Sequence, residues 1–364
     1  MNLLFVSTLS RAARAINTIA QYSRLANELG HDIAVFGEQR SDFPGIRFSL
    51  DVSAFDFAIF VIYTTSDFPD LPYLANLLDS TPKNRRVIID CTGRYNETIR
   101  VDHDFNHLEK MDGHQGWEWI EAFQSVADRI LQPALTPRRD DVQSFLFHGY
   151  EPDGVVRRPG SAAEAARHWS HEAKRYSIVY VGHNWQRWSQ LRRFLEAIDP
   201  IRDRLGPIAL FGNEWDRRPD WAVQLGIQGV DVDPELLERL KVQTSHPIPY
   251  TEFKHILSEA QFSPIFHRPL FNELGLVTNR TFETFLADTI PLVMLPEPFA
   301  TSIYGPNVRP LLPETDIAKQ LERIHLDPER YWEAISLVRE HLAAHHSYRR
   351  RLTELVTLLE SKHV

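Results

Sequence analysis

Cysteine is nearly absent. Cys91 stands alone in 364 residues, so neither an intrachain disulfide nor a cysteine-based zinc cluster can form. That scarcity favours a reducing compartment. Basic residues are in the minority: 40 Lys and Arg against 49 Asp and Glu leave a formal net charge of −9. Such a balance lacks the broad basic surface that sequence-independent nucleic-acid binding needs, and no nucleic-acid partner is expected. Long apolar runs are missing too. The longest, Phe57–Tyr63, is far too short to span a bilayer. Met1–Ser7 has no basic lead-in and only a short apolar stretch, so a standard signal peptide is not expected. These absences predict a cytoplasmic protein. Arg349-Arg-Arg351 leaves peripheral contact with anionic lipid open, although such a cluster more often forms the solvated face of a helix.

Several signatures of nucleotide chemistry are also lacking. Neither Ser7–Arg11, after the first strand, nor Gly182–Trp185 contains G-x-G-x-x-G, so the dinucleotide fingerprint is absent. No G-x-x-x-x-G-K-[ST] phosphate loop and no G-x-S-x-G nucleophile elbow occurs. His103-Asp-Phe-Asn-His107 places two histidines four apart. It departs from H-E-x-x-H through Asp104, whose carboxylate sits one methylene closer to the backbone. A solvated or substrate-facing loop is expected there, and no metal site.

What is present is alternation. Apolar strands at Leu3–Val6, His31–Phe36, Ala58–Ile62, Arg86–Asp90 and Arg129–Gln132 are interleaved with helical patterns. The alternation pauses from Pro152 to Ser170 and restarts with strands at Tyr176–Val181, Pro207–Phe211, Phe262–Phe266 and Pro291–Leu295. Strands that are apolar throughout and alternate with helices predict parallel sheets covered on both faces. The expected fold is α/β, with two Rossmann-like doubly wound domains facing a cleft. Their expected bounds are 1–155 and 171–330, with helices at 331–364 packing back across the junction. Ligands of such domains bind at the carboxyl ends of the strands, so the cleft is the expected site. Asp90 ends one of these strands and is a candidate acid or base, with a loop or helix cap as the competing reading. His103 and Asp104 are further candidates.

The sharpest signal lies within Asn272–Val293. Thr278 and Asn279 are expected to cap a helix starting near Arg280, whose first turn would offer N–H groups to an anion. Arg280 adds a permanent cation suited to phosphate oxygens. Glu283, one turn later, could accept bonds from sugar hydroxyls. Together they fit a nucleotide-sugar diphosphate, while the competing reading makes them ordinary caps and a surface charge.

The Thr-x-Arg-x-Phe-Glu element at 278–283, with the strand after it, resembles the C-terminal domain of GT-B glycosyltransferases, closest to the family-4-like, CgeB-type group. Val181-Gly-His-Asn184, His246–Phe253 and Glu28–Ile33 extend the resemblance along the chain. It implies a glycosyltransferase moving a sugar from a nucleotide-diphosphate sugar to the hydroxyl of a glycan or other acceptor. No cofactor would be permanently bound and no metal would be needed. The first domain would take the acceptor and the second the donor. Arg280 and Glu283 would contact diphosphate and ribose, within a donor-facing set that includes Thr278, Asn279 and Thr281. Tyr250 would lie by the nucleobase, and His183 and Asn184 would line the donor side. Asn213 is a weaker candidate that a turn explains equally well. Arg187 is expected as a surface residue at a helix start, with phosphate contact as the alternative.

Two departures are visible. Glu273 and Glu283 are spaced more widely than the family's glutamate pair, and Asp288-Thr-Ile stands where a glycine is common. They keep open a non-catalytic GT-B-like protein of envelope or surface assembly. A nucleotide-sugar epimerase is a third reading.

Overall fold

The structure, a computed structural model of the chain, describes residues 1–7, 14–63, 67–69, 71–97, 117–184, 186–224 and 230–361. Seven strands make the first sheet: β1 (Asn2–Val6), β2 (Asp32–Phe36), β3 (Phe48–Ser49), β4 (Phe57–Ile62), β5 (Arg86–Asp90), β6 (Arg129–Gln132) and β7 (Val142–Ser144). Their order is β3-β2-β1-β4-β5-β6-β7, with every pair parallel. Five more make the second: β8 (Tyr176–Val181), β9 (Ile208–Phe211), β10 (Val242–Ser245), β11 (Ala260–Ile265) and β12 (Ile290–Val293). These run β10-β9-β8-β11-β12, again parallel throughout.

The apolar runs explain this arrangement. Ala58 to Ile62 of β4 are all buried, because helices cover both sheet faces and no side of the strand meets water. Strand order reverses beside β1 and beside β8, and each reversal opens a crevice at the strands' carboxyl ends. Three strands went unanticipated. β3, β7 and β10 all lie at sheet edges, are short, and carry polar residues in place of an apolar run.

Among the contacts that join the halves are two backbone tethers. At the first, the Tyr150 N–H donates to the His346 carbonyl at 2.7 Å, and the Tyr348 N–H donates to the Tyr150 carbonyl at 3.3 Å. Ser347 there ends the helix Trp332–His346 and caps the next, Tyr348–Glu360. That last helix buries Leu352, Leu355 and Leu359 in the same cluster as Leu3 and Phe5 of the first sheet. The second tether is an antiparallel bridge between Ala134 and Leu276. Beside it the Val277 N–H donates to the Pro133 carbonyl at 2.6 Å, and Arg138 pairs with Glu273 at 2.6 Å.

The C-terminal arginines are committed to carboxylates of the chain itself. Arg349 pairs with Glu28, while Arg350 and Arg351 both pair with Glu354. Among the described residues no helix is long and apolar enough to cross a membrane.

Candidate functional site

A cavity of about 480 Å³ opens at the carboxyl ends of β8 and β9. Its floor depends on two glycines. A Cβ on Gly212 would sit 2.1 Å from the Gly182 carbonyl oxygen, and one on Gly182 would sit 3.1 Å from Arg280 Nη2. Both backbones are in φ ranges that side chains rarely adopt. Glycine at these positions lets the strand ends approach each other and brings Arg280 against the main chain.

Arg280 is 8% exposed. Its Nη1 donates to the Val181 carbonyl, and its guanidinium carbon lies 5.4 Å from the centre of the Tyr180 ring. Its Nε is buried and has no partner among the described residues. Glu283 shares the short helix Arg280–Glu283 and is held by Asn279, whose amide donates to Oε1 at 2.5 Å. Asn279, Arg280 and Glu283 all line the cavity. Pro247, Ile248, Pro249, Tyr250 and Phe253 give the same cavity its apolar lining. Tyr250 is 39% exposed and lies against Phe253, with ring centres 5.1 Å apart. The Asn213 N–H donates to His183 Nδ1 at 3.0 Å. In the neutral ring that bond leaves the proton on Nε2. Asn17, on the helix Arg14–Ala26 after β1, lines the cavity from the other half of the molecule.

The structure therefore brings His183, Asn213, Tyr250, Asn279, Arg280 and Glu283 together around one space. Asn184, Thr278 and Thr281 are placed elsewhere. Asn184 is fully buried, and its amide donates to the carbonyls of Glu214 and Asp231 at 2.7 and 2.9 Å. It ties loops together beneath the cavity. Thr281 meets His267 Nε2 at 3.0 Å and accepts the Thr278 N–H at 3.2 Å. Thr278 and Asn279 do not cap the helix with their side chains. The N–H groups of Thr281, Phe282 and Glu283 already bond to the carbonyls of Thr278 and Asn279. The anion-accepting helix start is thus corrected to a cationic side chain beside a glycine turn. Glu273 is also absent from the cavity and serves the tether to Arg138.

Asp90 is corrected as well. It is 0% exposed, and its carboxylate accepts the Tyr95 N–H at 2.8 Å, the Gln132 amide at 2.9 Å and the Thr92 N–H at 3.3 Å. Burial raises its carboxyl above the usual range, against the lowering effect of those donors. The side chain organises the turn after β5 and has no access to a reacting group. His103 and Asp104 lie outside the described residues.

Sequence reasoning also missed a layer behind the cavity. Arg187, expected at the surface, is buried and donates to the His183 carbonyl at 3.1 Å. Burial, with Arg187 and Arg280 nearby, pushes His267 down to about 3, so this imidazole is neutral at ordinary pH. The buried Tyr180 hydroxyl and His267 Nδ1 have no partner among the described residues. Among those residues no group of three or more His, Cys, Asp or Glu could hold a metal ion.

A family model described as glycosyl transferase-like matches residues 167–357, just over half of the chain. No curated protein matches it. Several solved structures resemble it over their whole length. The T4 phage β-glucosyltransferase is 10% identical, with 100% of both chains covered and a TM-score of 0.55. T4 phage BGT in complex with its UDP-glucose substrate is 13% identical, with 99% of both chains covered and a TM-score of 0.60. An α-glucosyltransferase in complex with UDP and a 13-mer DNA containing an HMU base is 11% identical. There 99% of this chain and 100% of that one are covered, at a TM-score of 0.59. At such identities the likeness speaks for the fold, two facing parallel sheets. The chain belongs to the glycosyl transferase-like family and has the GT-B fold.

Proposed function

We propose that the protein transfers a sugar from a nucleotide-diphosphate sugar, a UDP-sugar first among them, to an acceptor hydroxyl. The observation that carries this reading is that Arg280 and Glu283, on one short helix, line the same cavity as Tyr250 and Ile248. A cation, a carboxylate and a flat apolar platform match a diphosphate, a ribose and a base. The use of UDP-glucose by a structural neighbour of the same fold points to uridine as the base to try first.

In this reading Arg280 meets the diphosphate and stabilises the charge that grows on it as the bond to the sugar breaks. Arg187, behind the cavity, reinforces that positive potential. Glu283 Oε1 is occupied by Asn279, and Oε2 takes the ribose hydroxyls. Asn17 closes the site from the acceptor half, so approach of the two halves excludes water and aligns the acceptor. The acceptor oxygen bonds to the anomeric carbon, the nucleoside diphosphate departs, and the hydroxyl proton passes to a base. His103 and Asp104, following β5, are the candidates for that base. Side-chain cations meet the diphosphate charge, so transfer is expected to persist in a chelator. Affinity with the CgeB-type group belongs to the same reading.

The test is a thermal-shift screen of UDP-, GDP-, dTDP- and ADP-sugars on the whole chain, followed by mass spectrometry of released nucleotide and glycosylated acceptors. Stabilisation by one nucleoside series together with a sugar-bearing product supports the reading. No stabilisation by any of them would overturn it.

A further inference from the structure

A second cavity, of about 320 Å³, lies at the carboxyl ends of β1, β2 and β3. It sits beside β1, where the strand order of the first sheet reverses, which is the ligand-binding position of an open α/β sheet. Phe36, Leu50, Phe68 and Tyr73 give it apolar walls. Leu50 and Tyr73 are 42% and 46% exposed, unusual for large apolar side chains placed side by side around a concavity. Phe36 and Tyr73 meet edge to face at 6.1 Å, so the aromatic wall is already assembled.

Among the described residues, the charged groups that line this cavity carry one sign. Glu38 and Asp67 line it, and among the described residues no Lys, Arg or His does. Asp67 is buried and is anchored by the Tyr63 N–H at 2.6 Å. At the end of β1, Ser7 Oγ is shut from solvent with no partner among the described residues. An enclosed hydroxyl without a partner costs free energy until something bonds to it. Two carboxylates repel a phosphate or a carboxylate, whereas an apolar body bearing a hydrogen-bond donor suits both walls and charge.

We propose that this cavity is the acceptor subsite and takes an apolar-bodied hydroxyl compound that carries no negative charge. The word acceptor rests on the glycosyl-transfer reading; the ligand chemistry does not. The cavity's size admits one ring or the end of a longer chain. A nucleic-acid acceptor, as in the α-glucosyltransferase neighbour bound to DNA, is disfavoured by the same carboxylates.

The experiment measures direct binding to the whole chain without donor, by calorimetry. The probes are 4-hydroxyphenethyl alcohol (neutral), tyramine (cationic), 4-hydroxyphenylacetate (anionic) and a DNA duplex. UDP binding is measured in parallel. The neutral and cationic phenols are expected to bind at least about tenfold more tightly than the anionic one, and the duplex not at all. Tyr73→Ala and Leu50→Ser, both at exposed positions, should each weaken the phenols by about tenfold and leave UDP binding unchanged. Glu38→Gln should narrow the preference for the cation. Equal binding of the anion, binding of the duplex, or phenol affinities unmoved by Tyr73→Ala would overturn the proposal. Phenol binding with no UDP binding would sink the glycosyl-transfer reading and leave the subsite's ligand class standing. UDP binding with no phenol binding would do the reverse.

Discussion

The Asn279 amide donates to Glu283 Oε1 at 2.5 Å, one helical turn away. This bond fixes the carboxylate's orientation at the cavity wall. Replacing Asn279 with Ala should raise KM for the nucleotide sugar about three- to tenfold, the net worth of one ordinary hydrogen bond. Initial rates against donor concentration check this, and kcat should move less than KM.

Arg280→Ala removes the only Lys or Arg among the described residues that line the cavity at β8 and β9. Binding of the nucleoside diphosphate should weaken by about 10- to 150-fold, corresponding to roughly 1.5–3 kcal/mol for a charged hydrogen-bonding group. Calorimetric titration with UDP checks it. Arg280→Lys should recover only part of the loss, because an ammonium cannot both hold the Val181 carbonyl and face the phosphates.

Asp90→Ala should act on stability alone. It strands the Tyr95 and Thr92 N–H groups and the Gln132 amide in a buried place, at a cost of roughly 1–3 kcal/mol for each donor left unmade. Denaturant unfolding should show the loss. The fraction that remains folded should turn over at the unaltered rate; a dead but stably folded variant would restore Asp90 as a catalytic group.

Acid should weaken the fold through His267 and His346, both pushed to about 3, mainly by burial. In the unfolded chain they titrate near the ordinary value of 6.5. Between pH 3 and 6.5 the unfolded state therefore binds more protons than the folded state, and stability rises with pH. Each group contributes up to about 1.4 kcal/mol per pH unit in that window and nothing further above it. Asp90, raised by burial, works with the opposite sign at the acid end. Comparing the slope of stability against pH for the wild type and His267→Gln isolates one group, and the variant's slope should be shallower.

The central strands were readable because burial on both faces leaves an apolar run, as in Ala58–Ile62. β3, β7 and β10 were not, since an edge strand held by its backbone needs no such run. Arg280 and Glu283 stood out because three residues make nearly one helical turn, which places both on one wall. Asn17 could not be found that way: it reaches the cavity only through the packing of one half against the other. Asp90 misled for a related reason. A carboxylate at a strand end looks the same in sequence whether it faces a cleft or turns inward to gather N–H groups. The helix expected to start near Arg280 is α-helical only to Glu283 and tightens to a 3-10 turn over Thr284–Leu286.

The bridge between Ala134 and Leu276 lies four residues before Arg280. The backbone that carries the donor-side cation is thus stitched to the half of the molecule that would hold the acceptor. Were one half to swing, it would pull on the segment 276–280, so a diphosphate contact at Arg280 and the spacing of the halves would form one mechanical variable. A donor bound while the halves stand apart would meet Arg280 out of register. Sugar would then be lost to water more slowly than it is handed to an acceptor that draws the halves together.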